Sequence, residues 1–154
     1  MRNISSLILR LSLLLSASLL SLFANAGMVA ITVNTDMETA IQRHEKAGAS
    51  VQVIPCQDEN YPTTIRAKYR DKSGTFLVTD VIAAGENNVS KQVIVCKNSD
   101  ALRGLATWFN QQDSYSFVSA DKWKTEADGE TVVIYFEPVE RYGEGIIIEK
   151  ERFK

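Results

Sequence analysis

The stretch VIVCKNSDALRGLATWFNQQDSYSF, residues 93–117, carries the pattern of a strand, a capped helix and a second strand with little chain between them. Its central part repeats apolar residues at the spacing of a helix, at Leu102, Leu105 and Phe109. Moving residues 29–53 forward by 64 positions places the same physical roles in the same order without a gap. We therefore predict a domain of two similar halves, with two unrelated strand–helix–strand units as the alternative.

The rest of the chain has the pattern of short strands separated by turns. Strand patterns outside the quoted stretch occupy residues 28–33, 50–55, 63–71, 75–83, 131–137 and 145–153. Together they predict an α+β fold of two βαβββ-like halves, in which both helices pack on one face of a largely antiparallel sheet. Thr35 and Ser99 are the predicted helix caps, and residues 121–130 are predicted to form a loop.

The first 26 residues have the pattern of a secretory signal peptide. Arg2 gives a positive start, residues 11–23 are apolar, and Ala24 and Ala26 are the small residues that a signal peptidase requires. An uncleaved anchor is the alternative, but a membrane-spanning helix needs about 20 apolar residues. We predict cleavage after Ala26, one mature domain at residues 27–154, no stable membrane insertion and a periplasmic or secreted location.

The charge balance of the mature chain excludes one class of partner. Of the 17 basic residues the signal segment holds Arg2 and Arg10, so 15 remain against 19 acidic residues, a formal net charge of −4. A general nucleic-acid-binding protein needs a surplus of basic residues. We therefore predict no nucleic-acid partner.

The chain has two cysteines, Cys56 and Cys96, each at the end of a predicted strand. Paired cysteines of exported proteins usually form bridges because the compartment is oxidising. We predict one intramolecular disulfide between them. The alternative, a reactive or metal-binding thiol pair, lacks support because the chain has no CxxC motif and a single histidine.

That histidine, His44, is the natural candidate for proton transfer near neutral pH. It lies on the apolar stripe of the first helix, where the 64-residue shift matches it to Trp108, so we predict a structural role. No nucleophile-elbow, zinc-protease or phosphate-loop motif accompanies it. Asp36 and Asp100 match in the repeat, but both favour the first turn of a helix electrostatically. The sequence thus indicates no catalytic residue, no metal site and no cofactor.

Two surface features are candidates for binding. Arg66, Lys68 and Arg70 alternate along one strand and share one face, where they either meet an acidic partner or pair with cross-strand acids such as Asp80. Trp123 and Tyr142 lie in segments that are rich in charge, and exposed aromatic residues of these types dominate binding hot spots. The alternative is that each folds back as a lid on the core.

These observations favour a non-catalytic function. We predict an exported domain that binds another envelope or secreted protein, as an inhibitor, an immunity protein or an envelope accessory protein does. The alternatives are a small envelope hydrolase that uses acidic residues and a small-ligand-binding module with a pocket between sheet and helices. The predicted binding residues are Trp123, Tyr142, Arg66, Lys68 and Arg70.

Overall fold

The structure, a computed structural model, describes residues 29–152 apart from residues 59 and 73. The predicted signal peptide, residues 1–26, lies outside the described residues. The helices are α1 (Met37–Lys46) and α2 (Ser99–Gln111). The strands are β1 (Ser50–Ile54), β2 (Thr63–Asp71), β3 (Gly74–Ile82), β4 (Lys91–Cys96), β5 (Ser116–Ser119), β6 (Lys122–Ala127), β7 (Glu130–Glu137) and β8 (Gly145–Lys150).

All eight strands belong to one sheet in the order β1-β2-β3-β4-β8-β7-β6-β5. Every pairing between these strands is antiparallel, so the prediction of an α+β fold with a largely antiparallel sheet is confirmed. Each helix is followed by four strands that pair in chain order. The last strands of the two sets, β4 and β8, pair at the centre of the sheet, where Ile94 lies opposite Ile146.

Two segments differ from the sequence prediction. Residues 29–33 form no strand although Val29 and Val33 are buried, so the described order in each set is one helix and then four strands. The predicted loop at residues 121–130 contains strand β6. Its charged residues Lys122, Lys124 and Glu126 alternate with inward-facing residues, and this density of charge concealed the period of two.

The helix caps lie next to the predicted ones. Asp36 caps α1, and its carboxylate accepts a hydrogen bond of 2.9 Å from the backbone N–H of Thr39. Asn98 caps α2, so Ser99 is the first helical residue. Thr35 instead donates its hydroxyl to a backbone carbonyl in the preceding turn. Asp and Asn are stronger caps than Thr, which explains the choice at α1.

Both helices cover the same face of the sheet. One row of side chains crosses this face from β2 to β6 through Ile65, Asp80, Gln92, Ile148, Ile134 and Trp123. His44 of α1 contacts Asp80, and Phe109 of α2 lies 6.1 Å from Trp123 between ring centroids. The core therefore lies between this face and the two helices, as predicted.

The predicted disulfide is wrong, because both cysteines are free. In an antiparallel meander the first and fourth strands run in opposite directions. The carboxyl end of the first strand therefore lies at the same end of the sheet as the amino end of the fourth. Cys56 follows the end of β1, whereas Cys96 ends β4 and lies opposite Phe76 at the start of β3. Since a bridge needs Cα atoms less than about 7 Å apart, this topology separates the two thiols.

Candidate binding surface

The face of the sheet opposite the helices carries the predicted basic residues. The row through Arg66 runs from β1 to β7 through Gln52, Arg66, Thr79, Val93, Ile147 and Tyr135. The adjacent row runs from β1 to β8 through Ser50, Lys68, Leu77, Val95 and Gly145. We call this surface the open face. It is cationic on β2, and on β3 and β4 it presents Leu77, Val93 and Val95 beside the polar Thr79.

The connection between β7 and β8, residues 138–144, folds onto the open face. Val139 lies against the start of β8, where a Cβ atom on Gly145 would meet Val139 Cγ2 at 2.6 Å. The backbone N–H groups of Tyr142 and Gly143 both donate to the carbonyl of Val139, at 3.1 and 3.0 Å. This tight turn places Arg141, with a φ of 69°, and Tyr142 beside the sheet.

A groove of about 760 Å³ lies between this connection and strands β1 and β2. Its floor includes the apolar side chains of Leu77, Val93 and Val95. Arg66 and Lys68 line it on β2. Val139, Arg141 and Tyr142 line it from the β7–β8 connection. We call this site the open-face groove.

The described part of the chain provides no acidic partner for the cations of the groove. Among the described residues, Arg66, Lys68 and Arg141 form no ion pair and no side-chain hydrogen bond. The expected pairing of the basic strand with Asp80 is wrong, because Asp80 lies on the helix-covered face opposite Ile65. Three unneutralised positive charges therefore surround an apolar floor.

The structure thus brings together three of the five predicted binding residues. Arg66, Lys68 and Tyr142 line one groove although 74 positions separate Lys68 from Tyr142 in the chain. Arg70 shares the strand and the face but lies outside the groove. Arg141 also lines the groove, and the sequence did not predict it. A single charged residue in a turn belongs to no periodic pattern, so the sequence does not show which face its side chain joins.

Trp123 is a core residue, so its predicted exposure is wrong. Its side chain is 2% exposed and lies between Phe109 and Phe136. The indole N–H donates a hydrogen bond of 2.6 Å to Asn110 Oδ1 at the end of α2. Burial of the ring with its N–H paired is the usual arrangement for a core tryptophan. Trp123 therefore presents no surface to a partner.

A second constellation, a buried polar network, surrounds His44. Its Nε2 atom lies 2.7 Å from Asp80 Oδ2, and its Nδ1 atom lies 2.5 Å from the hydroxyl of Tyr69. The side chains of His44 and Asp80 have no exposed surface. Sequence reasoning found no carboxylate beside His44, although the alternation of β3 places Asp80 on the same face as Phe76 and Val78.

Two further polar side chains join this network, in which Asp80 Oδ1 and Gln92 Oε1 have no hydrogen-bond partner among the described residues. Thr32 donates its hydroxyl to Asp80 Oδ2 at 2.7 Å. Gln92 donates its amide to Thr32 Oγ1 and to the carbonyl of Ala30, both at 2.9 Å. These bonds tie residues 29–33, which form no strand, to the centre of the sheet. A buried polar group needs such partners because an unpaired one costs about 1–3 kcal/mol.

The N–H of Ala30 donates to the Tyr69 hydroxyl at 3.3 Å. The contacts of His44 are compatible with a tautomer in which Tyr69 donates to Nδ1 and the ring proton on Nε2 is shared with Asp80.

The network has the order of a proton relay but no opening for a substrate. Burial raises the pKa of Tyr69, the N–H of Ala30 opposes this and the charge of Asp80 adds to it, and the resulting pKa is about 12. A nucleophile is activated by a lowered pKa or by a neighbouring base that a substrate can reach. Tyr69 is only 4% exposed and His44 is fully buried, so the geometry supports packing and orientation of α1 on the sheet.

Neither a membrane-spanning helix nor a metal cluster occurs within the described ranges. No described helix is long and apolar enough to cross a membrane. No group of three or more His, Cys, Asp and Glu side chains in this part of the chain is placed to hold a metal ion.

Comparison with known proteins gives no match to a protein-family model, to a curated protein or to a solved structure.

Proposed function

We propose that this chain is an exported, non-catalytic binding domain whose open-face groove docks an acidic segment of another envelope or secreted protein. The observation that carries the proposal is the grouping of three unpaired cations around an apolar floor on the sheet face without helices. Unpaired cations favour a partner of opposite charge, since complementary charges steer association and select the partner.

The groove has the composition of a protein-binding centre. Apolar side chains at its floor supply area whose burial is favourable by about 25 cal/mol per Å². Tyr142 and two arginines line it, and Tyr and Arg are enriched among residues that dominate binding energy. An inhibitor, an immunity protein or an envelope accessory protein uses such a surface without any chemical step.

A small anionic ligand is the second candidate. The groove volume of about 760 Å³ falls in the range of about 300–1,000 Å³ that small-molecule sites occupy. The groove nevertheless lies on one face of a sheet and not between sheet and helices, where the pocket of a ligand-binding module was expected. A partner segment that continues across the open face would bury more of this surface than a compact ligand.

The two sets of one helix and four strands also support the proposal of a domain built from two similar halves. The central pairing of β4 with β8 relates the last strand of one set to the last strand of the other.

The test is affinity capture with the exported chain and two charge-matched variants. The Arg66→Glu/Lys68→Glu variant reverses both cations of β2 in the groove. The control, Lys46→Glu/Arg103→Glu, reverses two exposed cations on the helices, away from the open face, and changes the net charge by the same amount. A partner retained by the native chain and the control but lost by the first variant supports the proposal. Equal retention by all three proteins would place the binding surface elsewhere.

A further inference from the structure

We infer that the open-face groove recognises an apolar side chain flanked on both sides by carboxylates. This inference rests on the proposed function and specifies the partner segment. The order of side chains across the groove carries it: cations on β2, apolar residues on β3 and β4, and then Arg141 and Tyr142 on the β7–β8 connection.

The spacing of the strands sets the length of the segment. Neighbouring strands lie about 4.8 Å apart, so the centre of β4 lies about 10 Å from that of β2. An extended chain advances about 3.4 Å per residue, so about three residues cover this distance. A carboxylate over Arg66 and Lys68 is then followed, within three residues, by a side chain over the half-buried Val93.

The cations on β2 form a pair that one or two carboxylates can bridge. Arg66 and Lys68 are two residues apart on the same strand face, a separation of about 7 Å between their Cα atoms. The guanidinium group of Arg66 offers a planar fork that fits a carboxylate, whereas Lys68 acts as a point charge. Both side chains are exposed, so they can adjust to the ligand.

The opposite end of the groove supplies a separate contact for a second acid. Arg141 is exposed, whereas Tyr142 is half-buried and held by its backbone bond to Val139. The ring of Tyr142 lines the groove and can contact an apolar group, and Arg141 lines the groove next to it. An acid that follows the apolar residue would meet this cation.

The apolar floor favours a protein segment over an anionic polymer. A sulfated or phosphorylated polymer gains its affinity from charge alone and gains nothing from Leu77, Val93 and Val95. A protein segment with alternating chemistry uses both parts of the site.

The experiment measures fluorescence anisotropy with three labelled, blocked peptides. The first has a central leucine between two pairs of glutamates. The second replaces the leucine by serine, and the third replaces the glutamates by glutamines. We expect the exported chain to bind the first peptide at least tenfold more tightly than either of the others. Arg66→Glu should weaken that binding at least tenfold, whereas the control Lys46→Glu, on the helix side of the sheet, should change it less than twofold.

Each other outcome overturns the inference in a defined way. Equal binding of the leucine and serine peptides would show that the apolar floor makes no contribution to recognition. Tighter binding of a heparin hexasaccharide than of the first peptide would assign the groove to an anionic polymer. If no peptide binds but protein capture still depends on Arg66 and Lys68, the inference fails and the proposed function stands. If neither peptide binding nor capture depends on these cations, both fail.

Discussion

His44 Nε2 and Asp80 Oδ2 lie 2.7 Å apart, and neither side chain has any exposed surface. The pair joins α1 to the row of residues that crosses the helix-covered face from β2 to β6. Burial of two ionisable groups is costly unless they pair, and this pair offsets part of that cost although Asp80 Oδ1 has no hydrogen-bond partner among the described residues. The pair therefore holds α1 in one position over β2 and β3.

Replacing His44 by Gln should destabilise the fold by about 3 kcal/mol, because removal of one partner leaves the other polar group buried and poorly paired. Urea unfolding measures this loss. Lys46→Gln, on an exposed position of the same helix, is the control and should change stability by less than about 0.5 kcal/mol. The double variant His44→Gln/Asp80→Asn should recover part of the loss. Loss of partner binding with an unchanged unfolding curve would contradict the structural role.

The stability of the native chain should fall as the pH rises from about 10 to about 12. Burial raises the pKa of Tyr69 to about 12, whereas an unfolded tyrosine titrates near 10, so the folded state holds this proton more tightly. The stabilisation is complete below pH 10 and is lost as the pH passes through the folded value. Unfolding in urea at several alkaline pH values measures the slope.

Tyr69→Phe should reduce that slope but not abolish it, because burial also raises the pKa values of Tyr115 and Tyr135 to about 12. For Tyr135 the hydrogen bond to Glu149 adds to the effect of burial. Identical slopes for the native chain and the Tyr69→Phe variant would mean that the Tyr69 hydroxyl is not buried.

Truncation of Trp123 should cost stability and not binding. Trp123→Ala removes a buried ring that contacts Phe109 and Phe136, and large-to-small changes of this kind cost about 3–5 kcal/mol. Phe117→Ala is the control, because Phe117 lies opposite Trp123 on β5 but is 64% exposed. Thermal unfolding should separate the two variants clearly. If the Trp123→Ala protein had native stability but no longer captured the partner, Trp123 would be a surface residue of the binding site.

Truncation of Tyr142 should weaken partner binding and leave stability unchanged. Tyr142→Ala should weaken capture of the partner by about 2 kcal/mol if the ring is a hot spot of the open-face groove. Tyr61→Ala is the matched control, since Tyr61 is 62% exposed and does not line the groove. Titration calorimetry with the captured partner measures both. Equal affinities for the two variants would remove Tyr142 from the binding site.

The two cysteines should differ in reactivity and not form a bridge. A thiol reagent should modify Cys56 in the native protein, because its side chain is exposed, and should reach the buried Cys96 only after unfolding. Cys56→Ser should abolish the native reaction and leave one thiol to be found in denaturant. If denatured, unreduced protein shows no thiol at all, the cysteines are bridged after all.

Local pattern was sufficient for most of the secondary structure. The helical spacing of Leu102, Leu105 and Phe109 and the strict alternation of β2 predicted a helix and a strand that the structure contains. These signals are local because a helix and a strand each bury one side, which repeats at 3.6 or 2 residues. In β6 the outward-facing residues are charged and the flanking turns are also rich in charge. The alternation of period two was therefore not recognised, and a loop was predicted.

The candidate site depended on information that no local pattern contains. The sequence by itself determined that Arg66, Lys68 and Arg70 share a face, because alternation along one strand is enough for that. Only the tertiary structure decided that this is the face without helices, that Asp80 lies on the other side, and that Arg141 and Tyr142 reach the same groove. The physical reason is that alternation defines two faces of a strand, whereas strand order, register and the path of a connection follow from packing between distant segments.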